Sequence, residues 1–165
     1  MANGLVHIYA GDGRGKSPAA IGRAVQAATE GKKVIIIQFL KGKGLRDSDF
    51  LQRLEPEIKI FRFEKSDENY EMLSEEKKAE ESQNIMNGVN FAKKVLATGT
   101  CDLLILDEVL GLVERQIITE EKIKELLEAR GATDIILTGI KLGDDICILA
   151  DEVSKIESVK FKVWD

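Results

Sequence analysis

The sequence predicts a single α/β domain over residues 1–165, with a mainly parallel sheet and helices on both faces. Three observations carry this. Apolar runs of strand length alternate with helical stretches along the whole chain, without a composition break or an internal repeat. The runs Val34-Ile35-Ile36-Ile37, Leu103-Leu104-Ile105-Leu106 and Ile135-Ile136-Leu137 are apolar at every position, as strands covered on both faces must be. The first run, Leu5 to Ala10, breaks directly into a glycine-rich loop, Gly11 to Ser17, and then into an alanine-rich helix.

That first junction sets the expectation for function. The N-terminus of a helix gathers unpaired backbone N–H groups and carries the positive end of the helix dipole, so it favours an anion. Glycines let the chain approach that anion closely. Gly11-Asp12-Gly13-Arg14-Gly15-Lys16-Ser17 therefore reads as a polyphosphate-binding loop, with Lys16 as a mobile charge and the Ser17 hydroxyl as a ligand for Mg²⁺. The usual G-x-x-x-x-G-K-[ST] spacing would need glycine where Ala10 stands.

The helix after the loop is expected from Lys16 to Glu30, with Pro18 tolerated in its first turn. Ala20, Ala24, Ala27 and Ala28 give it a small-residue face, and Gly31 ends it. The Val34–Ile37 strand ends in Gln38-Phe39-Leu40-Lys41-Gly42, which makes Gln38 and Lys41 candidates for the rim of the site. Residues 43–57 are polar and irregular. Ile58 to Phe63 alternates like an edge strand. A charged stretch leads to a helix capped by Ser74, whose Ile85, Val89, Ala92 and Leu96 form one buried stripe closed by Gly99.

The next strand ends in Asp107-Glu108. Acids at the carboxyl end of a strand near a phosphate loop can hold Mg²⁺ or its waters. Thr119 caps a helix with Ile123, Leu126 and Leu127 inward and Gly131 after it. Asp134 to Gly139 is a further buried strand, 144–150 suits a short helix, and Val153–Ile156 and 159–163 read as final strands, the last at an edge.

A net charge of -5 gives no basic surface, so no nucleic-acid partner is expected. There is no basic-then-apolar leader and no apolar run of bilayer length, which points to a cytoplasmic protein without a membrane. Cys101 and Cys147 lie far apart in apolar contexts and read as buried free thiols. His7, inside the first strand, reads as a satisfied core residue rather than a ligand.

Taken together, Gly4-Leu5-Val6-His7-Ile8-Tyr9, the loop from Gly11 to Ser17, Gln38-Phe39-Leu40-Lys41-Gly42, Leu104-Ile105-Leu106-Asp107-Glu108-Val109, Leu137-Thr138-Gly139 and Ala150-Asp151-Glu152-Val153 resemble the ATP:corrinoid adenosyltransferases. The resemblance spans nearly the whole chain. It implies a RecA-like P-loop fold, a homodimer, and ATP bound in the reverse of the usual direction, which accounts for Ala10. The reaction it implies is attack of a Co(I) corrinoid on the 5′ carbon of ATP with release of triphosphate, in cobalamin biosynthesis or salvage. By position, Gly11, Asp12, Gly13, Arg14, Gly15, Lys16 and Ser17 hold the phosphates, Lys16 and Glu108 are catalytic, and Ser17, Asp107 and Glu108 serve Mg²⁺. A flavoprotein reductase is implied as the source of Co(I). The corrinoid contacts are not assignable.

The departures are specific. Pro18 replaces a second hydroxyl residue, and Gln26 and Ile140 stand where the family carries arginine. The family's aromatic segment after the third strand is not matched; Phe61, Phe63 and Tyr70 are loose substitutes, with core packing the expected job of the two Phe. The basic, glycine-rich C-terminal tail is not matched either. Arg14 and Arg23 are the nearby charges available to compensate. Two other function classes suit the same loop: a low-turnover nucleotide- or corrinoid-binding paralogue, and another P-loop ATPase or phosphotransferase. The arginine-rich lid of a nucleotide kinase is not found.

Overall fold

A computed structural model describes residues 3–40 and 49–160. In chain order the elements are β1 (Val6–Ala10), α1 (Lys16–Thr29), β2 (Val34–Gln38), α2 (Asp49–Gln52), β3 (Ile58–Arg62), a 3₁₀ turn (Tyr70–Met72), α3 (Glu75–Thr98), β4 (Leu103–Asp107), α4 (Val109–Glu114), α5 (Glu120–Glu128), β5 (Asp134–Gly139), α6 (Asp144–Cys147) and β6 (Glu152–Lys155). The strands form a six-stranded sheet in the order β3-β2-β4-β5-β1-β6. Every pairing in it is parallel.

The apolar runs follow from two covered faces. Along β2, Val34 and Ile36 point towards α1, where they meet Ala20, Ala24 and Ala27 together with Ile58, Leu103, Ile105 and Ile136. Ile35 and Ile37 point the other way, into the layer of α3, α4 and α5, with Ile85, Val89, Leu112, Ile123 and Leu126. Alternate residues of one strand thus enter two separate cores, so no polar position is tolerated between them. The alanine face of α1 lets that helix lie close to the sheet. Ser74 and Thr119 cap α3 and α5 by accepting from the backbone N–H of Lys77 and Lys122, each at 3.2 Å.

The structure departs from the sequence reading at the periphery. Asp49–Gln52 forms a turn of helix within the stretch expected to be irregular. Residues 156–160 carry no strand, so β6 is the edge on that side; residues 161–163 of the expected last strand lie outside the described residues, as do Lys41 and Gly42. The helix expected at 144–150 is shorter, Asp144–Cys147. Cys101 is buried and Cys147 only half-buried, both free. Burial pushes the Cys101 thiol up to about 11, which makes it a poor nucleophile.

His7 is satisfied, as its position suggested. Arg23 Nη1 lies 3.0 Å from His7 Nδ1 and 3.1 Å from the Tyr9 hydroxyl. A guanidinium only donates, so Nδ1 accepts and Nε2 carries the proton, donating to Ser154 Oγ at 2.9 Å. Burial lowers the His7 pKa, Glu152 pulls it back up, and Arg23 lowers it further. The unfolded chain therefore binds this proton more readily than the folded one. The stabilisation is complete above about pH 6.5 and is lost as pH falls from there through the lowered folded value. The melting temperature is expected to fall between pH 7.5 and 5.5, and His7→Gln to remove most of that slope, as thermal melts across the range will register.

Candidate nucleotide site at the first strand–helix junction

The site lies at the carboxyl end of the sheet, where β1 turns into α1. Gly15 is the N-cap of α1, with φ 124° and no side-chain cap. Among the described residues no acceptor lies against the backbone N–H of Gly15 or Lys16. The first turn of α1 is thus left with donors and a dipole directed out of the helix. Lys16 folds back, and its Nζ donates to Gly13 O at 3.1 Å.

Ser17 is joined to Asp107. Its Oγ donates to Asp107 Oδ1 at 2.9 Å. β4 does not pair with β1, because β5 lies between them. Thr138 at the end of β5 spans the gap: its Oγ1 donates to the same Asp107 oxygen at 2.7 Å and accepts from the Glu108 backbone N–H at 2.7 Å. A carboxylate only 2% exposed needs such donors, and here they come from α1 and β5. One knot of hydroxyls and carboxylate therefore ties the loop–helix junction to the ends of two strands.

Glu108 follows in a left-handed conformation, φ 64°, as the N-cap of α4. Its Oε2 lies 3.5 Å from where a β-carbon on Gly111 would sit, and Leu40 Cδ1 and Arg115 Nη1 converge on that same point at 2.9 Å. A non-glycine residue held at such a φ costs on the order of 1–3 kcal/mol. Glu108→Gly is expected to relieve about 1 kcal/mol of that strain, and so to raise stability in a denaturant titration while lowering Mg²⁺-dependent activity. Leu40 is the second left-handed residue here, φ 55°. Its N–H donates to Glu64 Oε1 at 2.7 Å. Burial raises the pKa of that carboxyl.

Not every expected site residue sits as the sequence suggested. Gly11 N–H donates to Gly139 O and Ile140 O, both at 3.2 Å, and Gly13 N–H donates to Ile156 O at 3.0 Å. Arg14 N–H donates to Ser158 Oγ at 3.1 Å. These amides are engaged within the protein, so the outward-facing donors are those nearer Lys16. Asp12 and the Arg14 side chain are exposed on the loop. Arg23 is committed to His7 and Tyr9 and does not compensate at the loop. Gln38 is 3% exposed, buried rather than at a rim; in register it stands opposite Asp107.

Gln26 is exposed on α1, ten residues beyond Lys16 and so roughly 15 Å along the helix axis. Ile140 is 50% exposed and its carbonyl faces the loop. Phe61 and Phe63 pack on Phe91, with ring centroids 4.8 and 5.4 Å away, which is the core role expected of them. The Tyr70 hydroxyl pairs with Ser82 at 2.9 Å. Thr138 and Ser158 were given no role by the sequence. The sign of Thr138 was a hydroxyl at the end of an otherwise apolar strand, and Ser158 offered no sign.

A glycine loop feeding the first helix, with its serine held by an acid at the end of an inner parallel strand, belongs to an α/β fold with a parallel sheet flanked by helices, one that resembles the P-loop-type ATPases. Residues 2–165 match the sequence profile of the ATP:corrinoid adenosyltransferase family BtuR/CobO/CobP, and the chain belongs to that family. Its members adenosylate a corrinoid with ATP, and this chain is accordingly a transferase of that kind. It is 31% identical over 158 residues to the corrinoid adenosyltransferase of Escherichia coli K12, covering 95% of this chain and 78% of that one. It is 32% identical over the same length and shares to the corrinoid adenosyltransferase CobA of Salmonella typhimurium LT2. Among solved structures, the KaiC-like protein PH0186 of Pyrococcus horikoshii OT3 aligns with a TM-score of 0.55 at 18% identity, covering 95% of this chain and 74% of that one. That is a likeness of fold alone.

Among the described residues no group of three or more His, Cys, Asp or Glu side chains forms a metal site. The donors that would suit a hard divalent cation are Ser17 and Asp107, an oxygen pair beside the first turn of α1. In the described helices none is long and apolar enough to cross a membrane.

Proposed function

We propose that this chain transfers the 5′-deoxyadenosyl group of ATP to the Co(I) centre of a corrinoid and releases triphosphate. The contact that carries the reading is Ser17 on Asp107, beside Lys16 at the open N-terminus of α1. It gives a triphosphate a set of backbone donors, a mobile cation and an oxygen pair for a metal in one place.

In the reaction the cobalt nucleophile forms a bond to C5′ as the C5′–O bond breaks, and the electron pair leaves on the triphosphate. No proton moves, so no Ser, Cys or His nucleophile is required of the protein. What the protein must do is hold ATP with C5′ towards the corrinoid and stabilise the charge growing on the leaving oxygen. On this reading Lys16 and the backbone N–H groups of Gly15 and Lys16 would do that. Gly11, Gly13 and Arg14 shape the loop. Mg²⁺ held by Ser17 and Asp107, with Glu108 next in the chain, would supply further charge neutralisation on the triphosphate. On the same reading residues 1–165 form one RecA-like ATP-binding domain, the chain works as a homodimer, and a flavoprotein reductase delivers Co(I).

Ile140→Arg is expected to raise turnover by about tenfold, roughly 1.4 kcal/mol of added stabilisation. Ile140 is half-exposed beside the loop, so the fold should accept the charge. Gln26→Arg, far along α1, should do nothing within one chain; steady-state kinetics of the two single variants will separate them. The reading itself is tested by mixing the protein with ATP, Mg²⁺ and a chemically reduced corrinoid and following the visible spectrum. Growth of the alkyl-cobalt bands supports it. ATP binding without those bands would favour a nucleotide-binding paralogue.

A further inference from the structure

The carboxyl-terminal side of β6 does not leave the sheet freely but continues along the phosphate loop. β6 pairs with β1 in parallel as far as Ala10↔Lys155. The ladder then runs on: Ile156 N–H donates to Ala10 O at 2.8 Å, and Gly13 N–H donates to Ile156 O at 3.0 Å. Ser158 Oγ accepts from Arg14 N–H at 3.1 Å. The approach is close enough to dictate sequence. A β-carbon on Gly11 would lie 2.2 Å from Ile156 O, and one on Gly13 would lie 2.7 Å from Glu157 C and Ser158 N. Two of the loop's three glycines are thus needed for this segment to lie against the loop. Ala10 occupies an ordinary rung of the ladder.

We infer that Ile156–Ser158 is a working wall of the phosphate loop and that Ser158 is a positioning residue for ATP, an inference that rests on the loop being the ATP site. The loop turns through left-handed backbone at Gly11 and Gly15, φ 129° and 124°, and a loop of that kind is soft unless held between those points. Ser158 holds it there, at Arg14. Fixing the loop before the ligand arrives removes the ordering cost from binding, so the benefit falls on ATP affinity rather than on the chemical step. Ser158 is exposed, and its loss removes no core contact.

The test uses the full chain with Ser158→Ala and Ser158→Thr, measuring ATP affinity by calorimetry, KM and kcat with a reduced corrinoid, and amide hydrogen exchange at Arg14. For Ser158→Ala the expected result is an ATP Kd and KM raised about three- to tenfold, kcat within about twofold of the parent, and faster exchange at Arg14. The threonine variant, which keeps the hydroxyl, should restore affinity and protection. Faster exchange at Arg14 with unchanged ATP affinity would overturn the inference. Tighter ATP binding would also overturn it, because the segment would then be competing with phosphate for the loop. A parent chain that binds no ATP would instead overturn the underlying assignment of the loop, and this inference with it.

Discussion

Lys16→Ala is expected to weaken ATP binding by about 2–3 kcal/mol, on the order of 30- to 150-fold in Kd. The size follows from what the ammonium does in each state. Without nucleotide its Nζ donates to Gly13 O at 3.1 Å, a neutral partner that water can replace at little cost. With nucleotide it would exchange that carbonyl for phosphate oxygens, and charge-assisted bonds of that kind are about twice as strong as neutral ones. The loss thus falls on the complex. Lys16 is only half-buried and its aliphatic stem is not part of either core, so the melting temperature should scarcely move. Calorimetric titration of ATP into parent and variant decides it, and equal affinities would reduce the loop to a turn.

Asp107→Ala is expected to cost about 2–4 kcal/mol of folding stability, the scale of leaving buried donors without an acceptor. Ser17 and Thr138 both donate to Asp107 Oδ1, and Thr138 in turn orients the Glu108 amide. Removing the carboxylate therefore loosens α1, β4 and β5 at one point. Asp107→Asn separates the structural part from the electrostatic part. Its carbonyl oxygen can still accept both hydroxyls, so most of the stability should return, while the Mg²⁺ needed for half-maximal rate should stay raised. Urea denaturation and a Mg²⁺ titration of the rate supply the two readings. From sequence alone Glu108 is expected to show the larger metal effect. The geometry transfers that expectation to Asp107, whose oxygen meets Ser17, whereas the Glu108 carboxylate lies over Gly111.

The inner strands β2, β4 and β5 were readable because each lies between two helical layers. Val34–Ile37 and Leu103–Leu106 carry no polar interruption, and only burial on both faces permits that. The caps at Ser74 and Thr119 and the stripe on α3 were readable for a similar reason, since a helix writes its own period and ends locally. The order of the strands was not, because nothing in the β1 or β5 sequence records that β5 comes to lie beside β1. At the candidate site the local placement was legible as well: the strand, the glycine turn into α1 with Lys16 and Ser17, and the acids at the end of β4. What escaped were partners supplied from far along the chain. Thr138 lies 31 positions from Asp107 and Ser158 lies 144 from Arg14. Gly11 and Gly13 illustrate the consequence. Their spacing reads as room for phosphate, but the atoms nearest a β-carbon there belong to residues 156–158.

The central claim, that ATP is held by its phosphates while C5′ is attacked, is tested most directly by the phosphorus product. Phosphorus-31 NMR of a reaction with ATP, Mg²⁺ and reduced corrinoid should show intact triphosphate, one for each alkyl-cobalt bond formed, and far less over the same time with Lys16→Ala at ATP concentrations that saturate only the parent. Orthophosphate with ADP, in place of triphosphate, would mean that attack falls on phosphorus and would contradict the account.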